Sequence, residues 1–351
     1  MIVSLDVADL TDPLRSAVAA AAAGCLPLVG GGDGDALDGA AVSAMRGALA
    51  GAPVEGRVVV GEGEKDGAPM LSPGERFGRG GVAVDLAVDP VDGTRLAAAG
   101  RPGAMAVAAA TARDGFFDIG PAHYLDKLVT WVPGLGAADA PDGALLAAVP
   151  ALVARAAELR GVRAAEVRIA VQGRPRNRAH AEAVRASGAE LVAFEHGEVE
   201  RSLRALHGGA SGAATRAGAF GASWASEASD VGSLGDGPLD AVLGIGGAPE
   251  GIIVAGAARA VGGSMFARFA PQSRREAERN RSALGADVVD PRRVIPLDVL
   301  CAGPAEVVVA AVTSCEVGVG LPGAEDRAGG VRVAWWSAAS GRHGRMDLPR
   351  G

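Results

Sequence analysis

Hydrophobic and polar positions change their rhythm partway along the chain. Up to about residue 145, apolar runs are short and closely spaced. "GRVVV" leads into the Gly-rich, acidic "GEGEKDGAPM" (56–70), and "GVAVDLAVDP" and "AMAVAAAT" (104–111) follow as further strands. "HYLDKLVTWVPG" (123–134) has the pattern of a strand or a hairpin edge. Two helices precede these strands. The Ala-rich stretch after Asp12 and Pro13 has a cap and a first-turn proline, and "DGAAVSAMRGALA" (38–50) opens on Asp38. Such crowded strands predict an α+β lobe with a largely antiparallel sheet.

After residue 145 strands and helices alternate. "ALLAAVPALVARAAELRG" predicts a helix despite Pro150, then "EVRIAVQ" a strand and "NRAHAEAVRASG" a helix. "ELVAFE" and "GEVERSLRALHGG" repeat the pair, and "DAVLGIGGAPEGIIVAGAARAVGG" closes with strand, turn and helix. That alternation predicts βαβ units on a mostly parallel sheet. The lobe boundary is set at residue 160, giving an α+β lobe over 1–160 and an α/β lobe over 161–340. The Gly/Ala/Ser-rich stretch 208–238 predicts a long insertion, and the polar tail from about 340 a frayed end.

Composition narrows the class. At 49% hydrophobic and 3% aromatic, the core of this 351-residue chain is built from Ala, Val and Leu. A net charge of −7 without a basic, aromatic-studded stripe argues against nucleic acid. No apolar run is long enough to span a bilayer. The acidic flank Asp6, Asp9, Asp12 ahead of the Ala-rich stretch is wrong for an export signal. Three scattered cysteines predict free thiols in a cytoplasmic protein.

The chemistry concentrates in carboxylates. Period-2 alternation along "VAVDLAVDP" puts Asp85 and Asp89 on one face. Pro90 and Gly93 end the strand and turn Asp92 back beside Asp89. "GEGEKD" brings Glu62, Glu64 and Asp66 to the end of another strand. Clustered like charges need cations, and oxygen donors of this kind suit Mg²⁺ or Mn²⁺. Two such ions suit in-line phosphoryl transfer to water. Taken alone, "DPVDGT" also suits an ordinary turn, and "GEGE" a solvated one.

"DPVDGT" resembles the signature of the lithium-sensitive, metal-dependent sugar and inositol phosphatases. With "DGAAVSAMR", "GEGEKDGAPML", "VDLAVDPVDGTR", "PAHYLDKL" and "GIGGAPEG" in order, the chain resembles the class II (GlpX-type) fructose-1,6-bisphosphatases. The resemblance implies a layered α/β fold, an αβαβα sandwich. It implies two or three Mg²⁺ or Mn²⁺ ions held by Asp38, Glu62, Asp89, Asp92 and Glu250. Asp92 stands where the class II enzymes usually carry Glu. Asp38 suits a helix N-cap as well as a ligand, and Glu250 also suits a helix start. Thr94 would orient a water, with Asp66 or Glu64 taking its proton. Substrate contacts would come from Asp92, Gly93, Thr94, Tyr124, Arg174, Arg176 and Gly247, and from His196 and Glu198 in "EHGE". A family lysine is replaced by Gly34, and the region beyond 265 fits only loosely.

The expected activity is hydrolysis of fructose 1,6-bisphosphate to fructose 6-phosphate by a cytoplasmic homo-oligomer, dimer or tetramer, in gluconeogenesis. The alternatives are a sedoheptulose bisphosphatase, an inositol or specialised sugar phosphatase, or a weakly active sugar-phosphate sensor. A small-molecule sugar phosphate is the expected partner, with no nucleic acid and no membrane.

Overall fold

The computed structural model describes residues 6–61, 63–65, 68–140, 143–211 and 238–349. The described chain forms two compact units. One takes residues up to Phe116 and from Gly303 onward; the other begins at Phe117 and ends at Ala302.

The first unit opens with helices α1 (Thr11–Cys25) and α2 (Gly34–Ala50). Strand β1 (Val54–Val60) follows, then a hairpin of β2 (Gly63–Lys65) and β3 (Ala68–Met70), and then β4 (Arg76–Phe77). The long β5 (Val82–Asp92) runs into the short helix α3 (Thr94–Ala98), and β6 (Met105–Ala112) returns beside β5. The second unit carries β7 (Tyr124–Thr130), α4 (Val149–Arg160), β8 (Arg168–Gln172), α5 (Arg178–Ala186), β9 (Glu190–Phe194) and α6 (Glu198–His207). It continues through β10 (Ala241–Gly247), α7 (Ala248–Val261), β11 (Ser264–Phe269), α8 (Arg274–Leu284), β12 (Ile295–Pro296) and α9 (Leu297–Leu300). The chain then re-enters the first unit as β13 (Ala305–Ala311), β14 (Cys315–Glu316), β15 (Gly320–Leu321), β16 (Glu325–Arg327), β17 (Gly330–Ser337) and β18 (His343–Pro349).

The first unit's sheet has eight strands in the order β16-β17-β13-β6-β5-β1-β4, with β18 also on β17. Only β1 and β5 run parallel, so the sheet is largely antiparallel, as the strand spacing predicts. Its core is small-residue packing. Ala17, Val18, Ala21 and Ala22 of α1 and Ala41 and Met45 of α2 are buried with Val88, Ala106, Ala108 and Val308 of the sheet. Side chains this small let α1 and α2 approach closely: a Cβ on Gly24 would lie 3.3 Å from the Ala40 carbonyl oxygen and 3.3 Å from the Ala44 Cβ. A core of small residues needs that closeness to exclude voids.

The second unit's sheet has six strands in the order β12-β11-β7-β10-β8-β9. The pairs β10–β8 and β8–β9 are parallel, as the alternation predicts. The expectation of a mostly parallel sheet fails at β7, which pairs antiparallel with both β10 and β11, while β11 is antiparallel to β12. The strand expected at an edge is therefore central. It joins this unit, so the division falls after Phe116 and not near residue 160. Leu145, Leu152 and Val153 pack with Leu128, Ile169 and Leu243 into this unit's core. Pro150 sits in the first turn of α4, where its missing N–H costs nothing.

Two local expectations are corrected. Asp33, not Asp38, caps α2, accepting a hydrogen bond from the Ala36 N–H at 3.0 Å. The tail from 343 is an ordered strand paired along β17, with Met346 and Leu348 half-buried against the core that holds Val333 and Trp335. Residues 212–237, most of the expected insertion, lie outside the described residues. No described helix is long and apolar enough to cross a membrane. Each unit layers helices against a sheet, the α/β class the sequence predicts.

Candidate active site

The three aspartates of β5 divide by position. Asp85, mid-strand and wholly buried, is matched by protein cations. Arg57 of the neighbouring β1 grips it at 3.0 and 2.8 Å, Arg113 at 3.1 Å, and the Asp114 N–H donates to it at 2.7 Å. These contacts hold the Arg57 guanidinium well above its usual range. Asp85 is thus a structural carboxylate, since burial of its charge is compensated on every side.

Asp89 and Asp92 lie at the other end of β5, where the strand pairing with β6 slips between them. Asp89 Oδ1 accepts from the Val91 N–H at 3.0 Å. Asp92 is 7% exposed. The chain then reverses through Gly93 at φ +82°, a left-handed conformation that glycine adopts without strain. A Cβ there would lie 3.2 Å from the Gly103 carbonyl oxygen.

Thr94 opens α3, and its Oγ1 lies 2.9 Å from Asp38 Oδ1 and 3.0 Å from the Val91 carbonyl oxygen. Two candidates distant in sequence therefore meet directly. Asp38 projects from the second turn of α2. Burial, with the Asp38 carboxylate adding to it, pushes the Cys25 thiol up to about 12, which leaves that sulfur protonated and unsuited to nucleophilic attack. Gly34, at the first position of α2, would bring a Cβ to 3.1 Å from Thr94 Cγ2. Gly32, Gly34, Thr94, Arg95, Ala98 and Ala99 line an open hollow of about 320 Å³ on this unit. Glu62 and Asp66 lie outside the described residues; Glu64 lies in β2.

The second unit gathers the other candidates around the end of β10. Gly246 and Gly247 end that strand, and Glu250 stands in the first turn of α7. A Cβ on Gly246 would fall 1.8 Å from Glu198 Oε2, and one on Gly247 would fall 1.8 Å from Glu250 Oε2. The two glycines thus leave the space the carboxylates fill. Lys127 of β7, 3% exposed, pairs with Glu198 and donates to the Gly247 carbonyl oxygen at 2.7 Å. Burial and the nearby Glu198 push the Glu250 carboxyl above the usual range, against the pull of Lys127.

Arg176 lies over the Tyr124 ring, 4.7 Å from its centroid, and donates through Nε to the Ile245 carbonyl oxygen at 3.0 Å. Arg174 reaches the Glu195 carbonyl oxygen at 3.2 Å. His196 is half-buried between β9 and α6, and Gly197 at φ +80° precedes α6. Lys127 is not among the residues that the sequence pattern singles out. Its signal was two adjacent charges, Asp126 and Lys127, inside the apolar strand "YLDKLVT". Asp126 is buried and paired with His180 at 2.8 Å and with Arg268 at 2.9 Å.

The donor set suits a hard cation: all proposed ligands offer carboxylate oxygen, Asp92 is nearly buried, and the Glu250 carboxyl carries a desolvation cost that a cation would offset. Among the described residues, no three His, Cys, Asp or Glu side chains form a ready cage, and Glu62 lies outside them.

Comparison with known proteins places these features in a family. The family model described as bacterial fructose-1,6-bisphosphatase, glpX-encoded, matches residues 8–223 and 231–335. Fructose-1,6-bisphosphatase 2 class 2 of Escherichia coli (strain K12) is 34% identical over 331 residues, covering 92% of each chain. D-fructose 1,6-bisphosphatase class 2/sedoheptulose 1,7-bisphosphatase of Prochlorococcus marinus (strain MIT 9303) is 34% identical over 255 residues, 72% of this chain and 66% of that protein. The chain belongs to the bacterial, class II fructose-1,6-bisphosphatase family.

Proposed function

We propose that the chain is a metal-dependent sugar bisphosphatase that removes the 1-phosphate of fructose 1,6-bisphosphate in the cytoplasm. The observation that carries this reading is the direct Thr94–Asp38 hydrogen bond at the end of the buried strand that presents Asp89 and Asp92. Asp38, Glu62, Asp89, Asp92 and Glu250 are the proposed ligands for two or three Mg²⁺ or Mn²⁺ ions. Bound there, such ions would offset the charge of the phosphate and raise the acidity of a water.

The chain's own groups supply orientation and proton transfer. Thr94 commits its hydroxyl proton to Asp38 or to the Val91 carbonyl, which leaves its oxygen lone pairs as acceptors for a water O–H. A water held that way presents a lone pair to phosphorus, and Glu64 or Asp66 takes the released proton. The Gly93 and Thr94 N–H groups offer donors to phosphate oxygens. On the second unit, Tyr124, Arg174, Arg176 and Gly247 hold the sugar and its other phosphate, with His196 and Glu198 beside them. Arg176 suits that role because a planar fork of donors matches phosphate oxygens.

Sedoheptulose 1,7-bisphosphate is the second substrate to test, since a relative at 34% identity carries both activities in its name. The test is phosphate release from fructose 1,6-bisphosphate, sedoheptulose 1,7-bisphosphate, fructose 1-phosphate and inositol 1-phosphate, each with Mg²⁺ and with Mn²⁺. Highest kcat/KM on a bisphosphate supports the reading. Preference for a monophosphate overturns the bisphosphatase assignment, and no release from any of them overturns the enzymatic one.

A further inference from the structure

The proposed phosphate-binding Arg176 sits on a one-turn 3₁₀ segment, Pro175–Asn177, that links β8 to α5. Such a short connection has no ladder of its own to hold an arginine still. Its neighbour Asn177 is 1% exposed, which is unusual for a carboxamide and demands partners.

The partners lie on β10. The parallel pairing of β8 with β10 spans only Ala241↔Ile169 and Val242↔Ala170, after which the strands part. Ile245, further along β10, then lacks a strand neighbour on that side. Asn177 takes the strand's place. Its Oδ1 accepts from the Ile245 N–H at 2.7 Å, and its Nδ2 lies 3.3 Å from the Ile245 carbonyl oxygen and 3.1 Å from that of Gln172. A side-chain amide thus completes a backbone edge that would otherwise be buried and unpaired. Gly244 makes the close approach possible: a Cβ there, at φ +145°, would stand 3.1 Å from the Asn177 carboxamide.

The same framework holds the guanidinium. Arg176 Nε donates to the Ile245 carbonyl oxygen, the atom that Asn177 also contacts. Arg176 Nη2 donates to Gln172 Oε1 at 3.2 Å, and Gln172 Nε2 in turn donates to the Glu195 carbonyl oxygen at 3.1 Å. Neutral amides orient Arg176 on two edges and Tyr124 covers one face of the guanidinium, and among the described residues no carboxylate pairs with it. A cation held by neutral groups keeps its attraction for an incoming dianion, and little side-chain entropy remains to be lost on binding.

We propose that Asn177 and Gln172 are positioning residues for Arg176, presetting it to receive the phosphate of the substrate that is not cleaved. This rests on the reading that Arg176 binds that phosphate, and the experiment separates the two. Kinetics are measured on the full chain for wild type, Arg176→Met, Gln172→Leu, Gln172→Glu and Asn177→Asp. The substrates are fructose 1,6-bisphosphate and fructose 1-phosphate, which lacks the second phosphate. Asn177→Asp keeps the acceptor for Ile245 and turns the donor into an acceptor facing two carbonyls. Gln172→Glu gives Arg176 an internal counter-ion in a half-buried position and removes the donor to the Glu195 carbonyl oxygen.

The expected result is a KM for the bisphosphate raised about tenfold in Gln172→Glu and Asn177→Asp, with Gln172→Leu between them and wild type, since a bond to a charged group is worth about that much. The kcat stays within about twofold, and kinetics on fructose 1-phosphate match wild type within the same margin. If Arg176→Met itself leaves the bisphosphate KM unchanged, the assignment of Arg176 falls and the proposal with it. If Arg176→Met raises that KM while the Gln172 and Asn177 variants do not, the positioning inference alone falls. Equal losses on both substrates in those variants reduce the two residues to a general structural role, which also overturns it.

Discussion

Asp85 and Asp89 are four residues apart on one strand and face the same way, yet their surroundings assign them different work. Asp85 is enclosed by Arg57 and Arg113. Asp89 meets a backbone N–H and stands at the strand end with Asp92. The sequence shows the charges and their spacing but not their partners. Arg57 lies 28 residues from Asp85, and only the register of β1 against β5 brings them together. The motif 89–94 is legible because its residues act locally, through one turn. Asp89→Asn preserves the acceptor for the Val91 N–H, so the variant should fold with an unchanged melting curve. On the proposal that Asp89 is a direct ligand, the variant should lose more than outer partners typically cost, a fall in kcat above about 100-fold by phosphate release. Thr94→Val removes the hydroxyl joined to Asp38, and kcat should drop about 100-fold or more while KM stays close to wild type. A melting temperature lowered along with activity in either variant would instead mark a residue that supports the fold.

At the scale of elements, the turn from β10 into α7 brings Gly246, Gly247 and Glu250 together within the second unit. "GGAPEG" announces a strand end, a tight approach and a helix start, and each is present. What the segment could not announce is why both glycines are needed, because Glu198 comes from α6 and Lys127 from β7. Gly247→Ala would drive a methyl group into the end of the Glu250 side chain, a flexible group that moves before the backbone does. The variant should retain its circular dichroism and lose activity about tenfold or more, with a higher Mn²⁺ concentration needed for half-maximal rate. The strand β7 shows the limit of pattern reading. Its direction relative to β10 and β11 depends on pairing across more than a hundred residues, which hydrophobic periodicity does not encode. Its buried Asp126 also governs acid stability. Burial alone would raise this carboxyl, but His180 and Arg268 outweigh it and hold it below the usual range. A carboxyl depressed by folding adds stability above its unfolded pKa, about 3.9, and that gain is lost as pH falls through the folded value. Asp126→Asn should therefore flatten the dependence of stability on pH below about 4. It should also cost roughly 3–5 kcal/mol near neutrality by leaving Arg268 uncompensated, both read from urea unfolding across pH.

For the whole molecule, the path of the chain matters most. The second unit is spliced into the first between Phe116 and Gly303. Its two ends meet, as the Phe117 N–H donates to the Leu300 carbonyl oxygen at 3.1 Å. Neighbouring ends are the condition under which one unit tolerates insertion into another. A chain of residues 117–302 should thus fold alone, with dispersed amide resonances and one cooperative thermal transition; a collapsed, undispersed spectrum would show that it depends on the flanking unit. The change of hydrophobic rhythm after 145, with the boundary set at 160, marks the change of architecture only approximately, because β7 lies before it and belongs to the second sheet.

The pairing of β6 with β13 has a consequence for synthesis. Every residue of β6 but its last is buried, and its partner begins at Ala305. While the ribosome makes everything in between, β6 waits as an open, oily strand edge that invites pairing with other polypeptides. Release of the nascent chain just short of that partner would leave an apolar border uncovered, so the hazard to this protein in the cell is greatest late in its translation, and a holding chaperone would do most good there.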